Sequence, residues 1–448
     1  MKKLIMLSVM LWLNQLLMHA QSNIDQYISI GLANNQSIQQ QNFELSKTMY
    51  ALKQAKTWYY PNVALNSTYT LAQGGRVIGL PLGDLLNGAY ATLNQLTASN
   101  SFPKLENQNV LLNPNNFYDV KLRATYPIFN PDIKLNYQIK AEQIGLQKLE
   151  INLYKRELVK EIKIAYFQYI QSLKALDIYG NAQKLVNESY RINNSLFTNQ
   201  KINRNILLRS EFEVKKIESA IIDAQKNCDN AKAYFNFLIN RPLKDSIITD
   251  VFVNTPVLLN DSNLTDITKR EELEKLSVAK KINANLIQLS NTYLLPKVSV
   301  LVDAGAQNFD FKINNHTPYV LFGLSFDWNL FAAGRNKYKV KESEAALEST
   351  NKQTEYIRTQ LGLQLSTTTN SFDAAVKVYA NTLFQEKAAL RNYNDLIKLY
   401  KEGLVLYIEL LDAQQQYINA QLQRSIALMD TWVKFAEVER ANSTYHLN

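Results

Sequence analysis

Tyr126-Pro127-Ile128-Phe129-Asn130 ends one alternating stretch of the chain, and Trp328-Asn329-Leu330-Phe331-Ala332 ends another. Further on, Leu196-Phe197-Thr198-Asn199-Gln200 is answered by Leu399-Tyr400-Lys401-Glu402-Gly403. Ile206-Leu207-Leu208-Arg209-Ser210 is answered by Glu409-Leu410-Leu411-Asp412-Ala413. The offset stays at about two hundred residues throughout, so the chain holds one long unit twice. A duplication of that length builds a pseudo-symmetric wall or tube, which suits a conduit better than an active site.

The stretches that lead into these runs alternate strictly. Val63, Leu65, Tyr69 and Leu71 alternate with Ala64, Asn66, Thr68 and Thr70. Tyr118, Val120, Leu122, Ala124, Tyr126 and Ile128 alternate with Asp119, Lys121, Arg123 and Thr125. In the second copy Val298, Val300, Val302 and Ala304 form an outward row. Phe309, Phe311 and Ile313 continue it after a parity slip near Gly305, which reads as a bulge. Val320, Phe322, Leu324, Phe326 and Trp328 make the last row, with Ser325, Asp327 and Asn329 opposite. Apolar-out, polar-in alternation over about ten residues is the signature of a transmembrane β-barrel, and aromatic ends fit an interfacial girdle. A half-buried strand of a soluble sandwich would alternate in the same way. Four such segments, each joined to a long helix, favour the barrel.

Helices fill the rest. Gly (13) and Pro (10) are too few in 448 residues to interrupt long elements. Ser22 to Tyr60 reads as helix up to Pro61, and Leu264 to Leu295 up to Pro296. Asn130 caps a helix with Pro131 in its first turn, and this helix runs to about Phe197. Its seam recurs every seven residues, at Ile144, Ile151, Leu158, Ala165, Tyr179 and Val186. Leu365, Phe372, Tyr379, Tyr393 and Tyr400 repeat it, so both helices coil against neighbours. A plain coiled-coil rod has the same helices but not the strands. Turns at 198–205 and 401–407 lead into return helices, Ile206 to Asn240 and Ile408 to Ala441. The division is therefore a signal peptide at 1–20, a first repeat at 21–242, a connector at 243–263 and a second repeat at 264–448. Each repeat is helix, hairpin, long helix, return helix. An insertion at 73–116 interrupts the first hairpin. It reads as a surface loop holding a short helix, Asp84 to Leu96, with Leu85, Leu86, Tyr90 and Leu93 inward.

Met1 to Ala20 reads as a secretory signal, with Lys2 and Lys3 before an apolar run and Met18-His19-Ala20 before the cut. No Cys follows that cut, so an N-terminal lipid anchor is not expected. Cys228 is the only cysteine, and His19, His316 and His446 are the only histidines. The chain thus offers no metal cluster, no nucleophilic triad and no phosphate loop. No catalytic residue, cofactor or metal is expected. The formal charge of +9 is spread along the helices, so solvated faces rather than a nucleic-acid site are expected.

These features resemble the TolC family of outer-membrane efflux proteins across nearly the whole mature chain. The likeness is carried by Tyr60-Pro61, Leu295-Pro296, the 126–130 run, and Trp328 to Arg335. Leu238-Ile239-Asn240-Arg241-Pro242 is similar to the family's mid-chain helix end. Most specific is Tyr400-Lys401-Glu402-Gly403-Leu404 followed by Glu409-Leu410-Leu411-Asp412-Ala413-Gln414. The resemblance implies a mainly α chain with a transmembrane β-barrel part. It implies a homotrimer with a 12-stranded barrel over a 12-helix periplasmic tunnel. The residues point the same way, because four strands cannot close a barrel and membrane barrels begin at about eight.

The family location is the Gram-negative outer membrane, in contact with its lipid. Its partners are a periplasmic adaptor and an inner-membrane transporter, and its role is the passive exit duct of tripartite efflux or type I secretion. A non-conducting periplasmic scaffold is the alternative. The resemblance places Tyr400, Glu409 and Asp412 at the tunnel entrance. Asn199, Gln200, Lys201, Gly403 and Leu404 form the adaptor-facing tips. Val405 stands where the best-known member has an arginine, Ile206 where it has an acid, and Gln200 where the family has glycine. These departures move the closing contacts to Lys201, Arg204 or Tyr407.

Overall fold

The computed structural model describes residues 23–252, 254–256, 267–445 and 447. The expected signal peptide, His446, and residues 253 and 257–263 of the connector lie outside them. The chain divides into two compact units. One holds Tyr50–Ala141 and Ala284–Glu344, and the other holds the described parts of Met1–Met49, Glu142–Asn283 and Ala345–Asn448.

The first unit is built on one antiparallel sheet. Its strands are β1 (Asn62–Thr70), β4 (Phe117–Phe129), β5 (Lys297–Phe309) and β6 (Pro318–Asp327), in the order β1-β4-β5-β6. Register aligns Val63, Ala124, Val302 and Phe322 in one row, and Leu65, Leu122, Ala304 and Val320 in the next. Because side chains alternate across a strand, these rows share a face. That face is bare: Phe322 is 77% exposed and Leu65 69%.

The other face carries the charges. Arg123 donates to both carboxylate oxygens of Asp303 at 2.7 Å, from Nε and Nη2. Tyr319 donates to Asp119 at 2.8 Å, and Lys121 pairs with the same carboxylate. Partnered polar groups on one face and bare leucine and phenylalanine on the other invert a soluble sheet.

The bulge expected near Gly305 is absent. Gly305 pairs in register with Lys121 and Tyr319, and the irregularity falls between Pro127 and Phe129 on β4. A Cβ on Gly305 would sit 2.5 Å from the Val120 carbonyl oxygen, so glycine there allows close strand approach. The parity change comes past the strand end, where Asp310 and Phe311 both take positive φ. That turn lays the Phe311 ring on Tyr69 and Tyr118, at 5.1 and 5.7 Å between centroids.

The insertion is a folded module rather than a plain loop. Its strands β2 (Val77–Leu80) and β3 (Gln108–Leu111) extend the β1–β4 hairpin past positive-φ Gly74 and Gly75. Helix α3 (Leu82–Thr97) lies between them. Asn87 and Asn94 face inward and clamp the backbone of Leu105 and Phe102, each by donating and accepting. Asn107 caps the helix start through Gly83 and Asp84. The polar side of α3 is thus the inner side. Leu85, Leu86 and Leu93, expected inward, are exposed; only Tyr90 finds a ring partner, Phe102.

The second unit is helical. Helix α1 (Asn23–Asn34) and helix α2 (Gln36–Thr57) replace the single expected helix from Ser22 to Tyr60. Asn35 separates them, and its Oδ1 accepts from the Ser37 and Ile38 amides as a cap does. Helices α4 (Pro131–Thr198) and α5 (Arg204–Leu238) form the first helical pair. Helices α7 (Arg335–Lys401) and α8 (Tyr407–Asn442) form the second. Asn130 caps α4 through the Asp132 amide at 3.1 Å, as its sequence predicts. Helix α6 (Glu271–Asn291) begins later than Leu264, after a short 3-10 turn at Ile267–Lys269. The seven-residue seam is the core, with Ile151, Leu158, Ala165, Val186, Phe372 and Tyr379 all buried.

An ion network joins the two repeats inside this unit. Arg270, 1% exposed, donates to both oxygens of Glu272, at 2.5 and 2.9 Å, and to the Ala441 carbonyl at 2.7 Å. Arg440 of α8 reaches the same Glu272 at 2.9 Å and Glu157 of α4 at 3.3 Å. Arg156 pairs with Glu271 and donates to the Tyr445 carbonyl at 2.6 Å. Burial raises the Glu272 carboxyl, but Arg270 and Arg440 outweigh it and hold the group at about 2.

Candidate functional site

The site expected from sequence is the pair of turns that end α4 and α7. Both turns close identically. Gln200 N–H donates to Phe197 O at 2.9 Å and Lys201 N–H to Leu196 O at 2.9 Å. Gly403 N–H donates to Tyr400 O at 3.0 Å and Leu404 N–H to Leu399 O at 3.0 Å. This is the Schellman pattern, which needs a left-handed residue at the turn. Gly403 supplies it at φ 76, and Gln200 at φ 58.

A non-glycine residue there is strained by about 1–2 kcal/mol. Gln200→Gly should therefore raise stability by up to roughly 1 kcal/mol after the entropy of glycine is set against it. Gly403→Ala should lower it by a similar amount. Thermal melting of both variants checks the pair, and a destabilising Gln200→Gly would refute the strain.

Asn199, Gln200, Lys201, Gly403 and Leu404, the residues expected from sequence to face an adaptor, are all exposed. A groove of about 660 Å³ runs between the turns, lined in part by Leu196, Ile206, Tyr400 and Tyr407. Leu404, Leu406 and Ile408 stand bare at 67%, 68% and 59%. Glu409 and Asp412 are exposed on the same face of α8. Asp412 accepts from Gln416 at 2.6 Å, and neither carboxylate has an ion-pair partner among the described residues. The matching first-repeat positions hold Ile206 and Arg209, and Arg209 is paired with Glu213 at 3.3 Å. The acidic pair belongs to the second repeat alone.

Tyr400 is not exposed with them. It is buried, and its hydroxyl donates to Asn193 Oδ1 at 2.5 Å. Burial pushes this hydroxyl up, and pushes that of Tyr407 up further. The two rings lie 5.7 Å apart in a cluster with Tyr393, Leu410 and Leu411. Of the three residues expected to take over the closing contacts, Tyr407 is in this cluster, whereas Lys201 and Arg204 are exposed.

Sequence reading missed Asn193, which is fully buried and joins the first repeat to the second. It also missed Gln414, 1% exposed, which accepts from Ser189 at 3.4 Å. The signal was present. Asn193 is the seam position after Val186, and a polar residue in an apolar seam sets register and pairing.

Residues 277–431 match the model of the outer membrane efflux protein family. Solved structures share the fold. The outer-membrane channel OprN is 13% identical, with a TM-score of 0.76 over 94% of this chain and 89% of that one. The Campylobacter jejuni CmeC outer membrane channel is 13% identical, TM-score 0.74, over 94% and 85%. The open-state Neisseria gonorrhoeae MtrE outer membrane channel is 16% identical, TM-score 0.73, over 94% and 88%. Comparison with curated protein sequences gives no match. The resemblance read from sequence is matched by this family model over residues 277–431, and the chain as a whole shares the fold of solved outer-membrane channels.

Proposed function

We propose that the protein is the exit duct of a tripartite efflux or type I secretion system, working as a homotrimer in the Gram-negative outer membrane. Three copies of the four-stranded sheet close one twelve-stranded barrel. The helical pairs of the three chains line a periplasmic tunnel. Substrate passes through passively from an inner-membrane transporter and a periplasmic adaptor, the adaptor meeting the bare apolar turns at Leu404, Leu406 and Ile408.

One observation carries the reading: the sheet has an apolar outer face, a charged inner face, and two unpaired edges, β1 and β6. An exposed apolar sheet with open edges aggregates unless its edges are paired and its face is in lipid. No described helix is long and apolar enough to cross a membrane.

Native mass spectrometry of the detergent-extracted protein should give three chains. Extraction without detergent as a soluble coiled-coil assembly would instead establish the periplasmic scaffold. A stable monomer that conducts in bilayers would remove the closing of edges between copies.

A further inference from the structure

The two edge strands meet their helices at the same end of the sheet, since Asn62 starts β1 opposite Thr125 near the end of β4, and Asp327 ends β6 opposite Lys297. Each junction carries bare aromatic and aliphatic side chains. Before β1 stand Trp58 (58% exposed), Tyr59 and Tyr60; after β6 stand Trp328, Leu330 and Phe331 (88%). They continue the apolar face of the sheet, whose nearest members are Val63, Ile128 and Phe326.

Cations follow these side chains immediately on the helical side. Lys53 and Lys56 lie in the last turns of α2, and Arg335, Lys337, Lys339 and Lys341 in the first turns of α7. No Asp or Glu occurs between Glu44 and Asp84, or between Asp327 and Glu342. Lys341 is paired with Glu344, and Lys53 lies over the Tyr50 ring. Lys56, Arg335, Lys337 and Lys339 are exposed and have no ion pair among the described residues. At the inner junction the cation Lys297 is instead neutralised by Asp132. Helix α4 has Asp132 in its first turn, whereas α7 begins on Arg335. The helix start that favours an acid carries one in the first repeat and a cation in the second. The charge that composition spreads along the chain is thus gathered here.

We infer that this band binds the headgroups of anionic glycerophospholipids, in the leaflet on the helical side of the barrel. The inference rests on the membrane-duct reading. Exposed Trp and Tyr settle at headgroup level, and unpaired Lys and Arg just beyond them sit where lipid phosphates lie. If neighbouring copies pair β1 with β6, the Trp58–Tyr60 cluster of one chain meets Phe331 and Arg335 of the next, so each seam holds one complete site.

The test is native mass spectrometry of protein released from phosphatidylcholine vesicles, with or without admixed phosphatidylglycerol. Wild type should retain phosphatidylglycerol in preference to phosphatidylcholine. K56Q/R335Q/K337Q/K339Q should lose that preference by roughly tenfold or more, since each cation near an anionic surface contributes a several-fold factor. K398Q/K401Q, at the far turn, should keep it. Equal retention of both lipids by wild type, equal loss in the control variant, or loss of the bound lipid on adding inorganic phosphate overturns the inference. The chain count in the same spectra tests the duct reading separately: trimers without lipid preference overturn the inference alone.

Discussion

Glu272→Ala is expected to destabilise the helical unit by about 3–5 kcal/mol, the usual cost of removing one member of a buried ion pair. Arg270 is 1% exposed and holds both Glu272 oxygens, so the substitution leaves its guanidinium with the Ala441 carbonyl but without a carboxylate. It also frees Arg440 from its 2.9 Å contact and so loosens α8 from the start of α6. Glu272→Gln should cost less, because an amide oxygen can still accept from one arginine.

The same network fixes a pH dependence. The Glu272 carboxyl is held at about 2, below its ordinary 4.5, so the folded state binds the proton more weakly than the unfolded one. Its stabilisation is complete above about pH 4.5 and is lost as pH falls towards about 2. Glu157, beside Lys160 and Arg440, is lowered despite its burial and adds in the same sense. Helical melting followed against pH should show this acid step in wild type and a smaller one in Glu272→Ala. A variant that melts with wild type would mean that Arg270 finds another partner, and that the network does not join the repeats.

The sequence could expose the strands and the long helices because each rests on a period. Alternation of two and recurrence of seven survive any tertiary context that buries one face. The tip turns were legible for a related reason: only a left-handed residue ends a helix that way, and Gly403 marks it. Gln200 hides the same turn, and only the duplication reveals it. What stayed hidden depends on partners distant in sequence. Gly305 is a close approach to Val120. It imitates a bulge because the parity change at Asp310 and Phe311 lies just beyond it.

The leucines of α3 read as inward by the rule that apolar faces turn to a core. Asn87 and Asn94 reverse that rule, because their side chains serve loop backbone that would otherwise lack partners. Arg270, Glu272 and Arg440 are ordinary charged residues until the fold brings them together. Of the candidate site, Glu409 and Asp412 are exposed and the two turns close as a repeated pair, whereas the buried bond from Tyr400 to Asn193 required knowing which seam faces which.

At the entrance, the protein in planar bilayers should be cation-selective and blocked from the helical side by trivalent cations. On the trimeric reading, three copies of Glu409 and Asp412 surround one axis. Both side chains are exposed, and no cation of the same chain neutralises them among the described residues. Arg209, which holds the place of Asp412 in the first repeat, is already engaged by Glu213. On that reading the ring would favour cations and hold multivalent ones. Glu409→Ala/Asp412→Ala should abolish the block and weaken the selectivity. The trimer should survive, since neither side chain is in the core and Glu409 contributes only a helix-end term of about 0.3–1 kcal/mol. Replacing the exposed Glu402, outside the pair, should leave the block intact. Equal block in wild type and in the double variant would show that these acids are only a wetted helix face and that the narrowest point lies elsewhere.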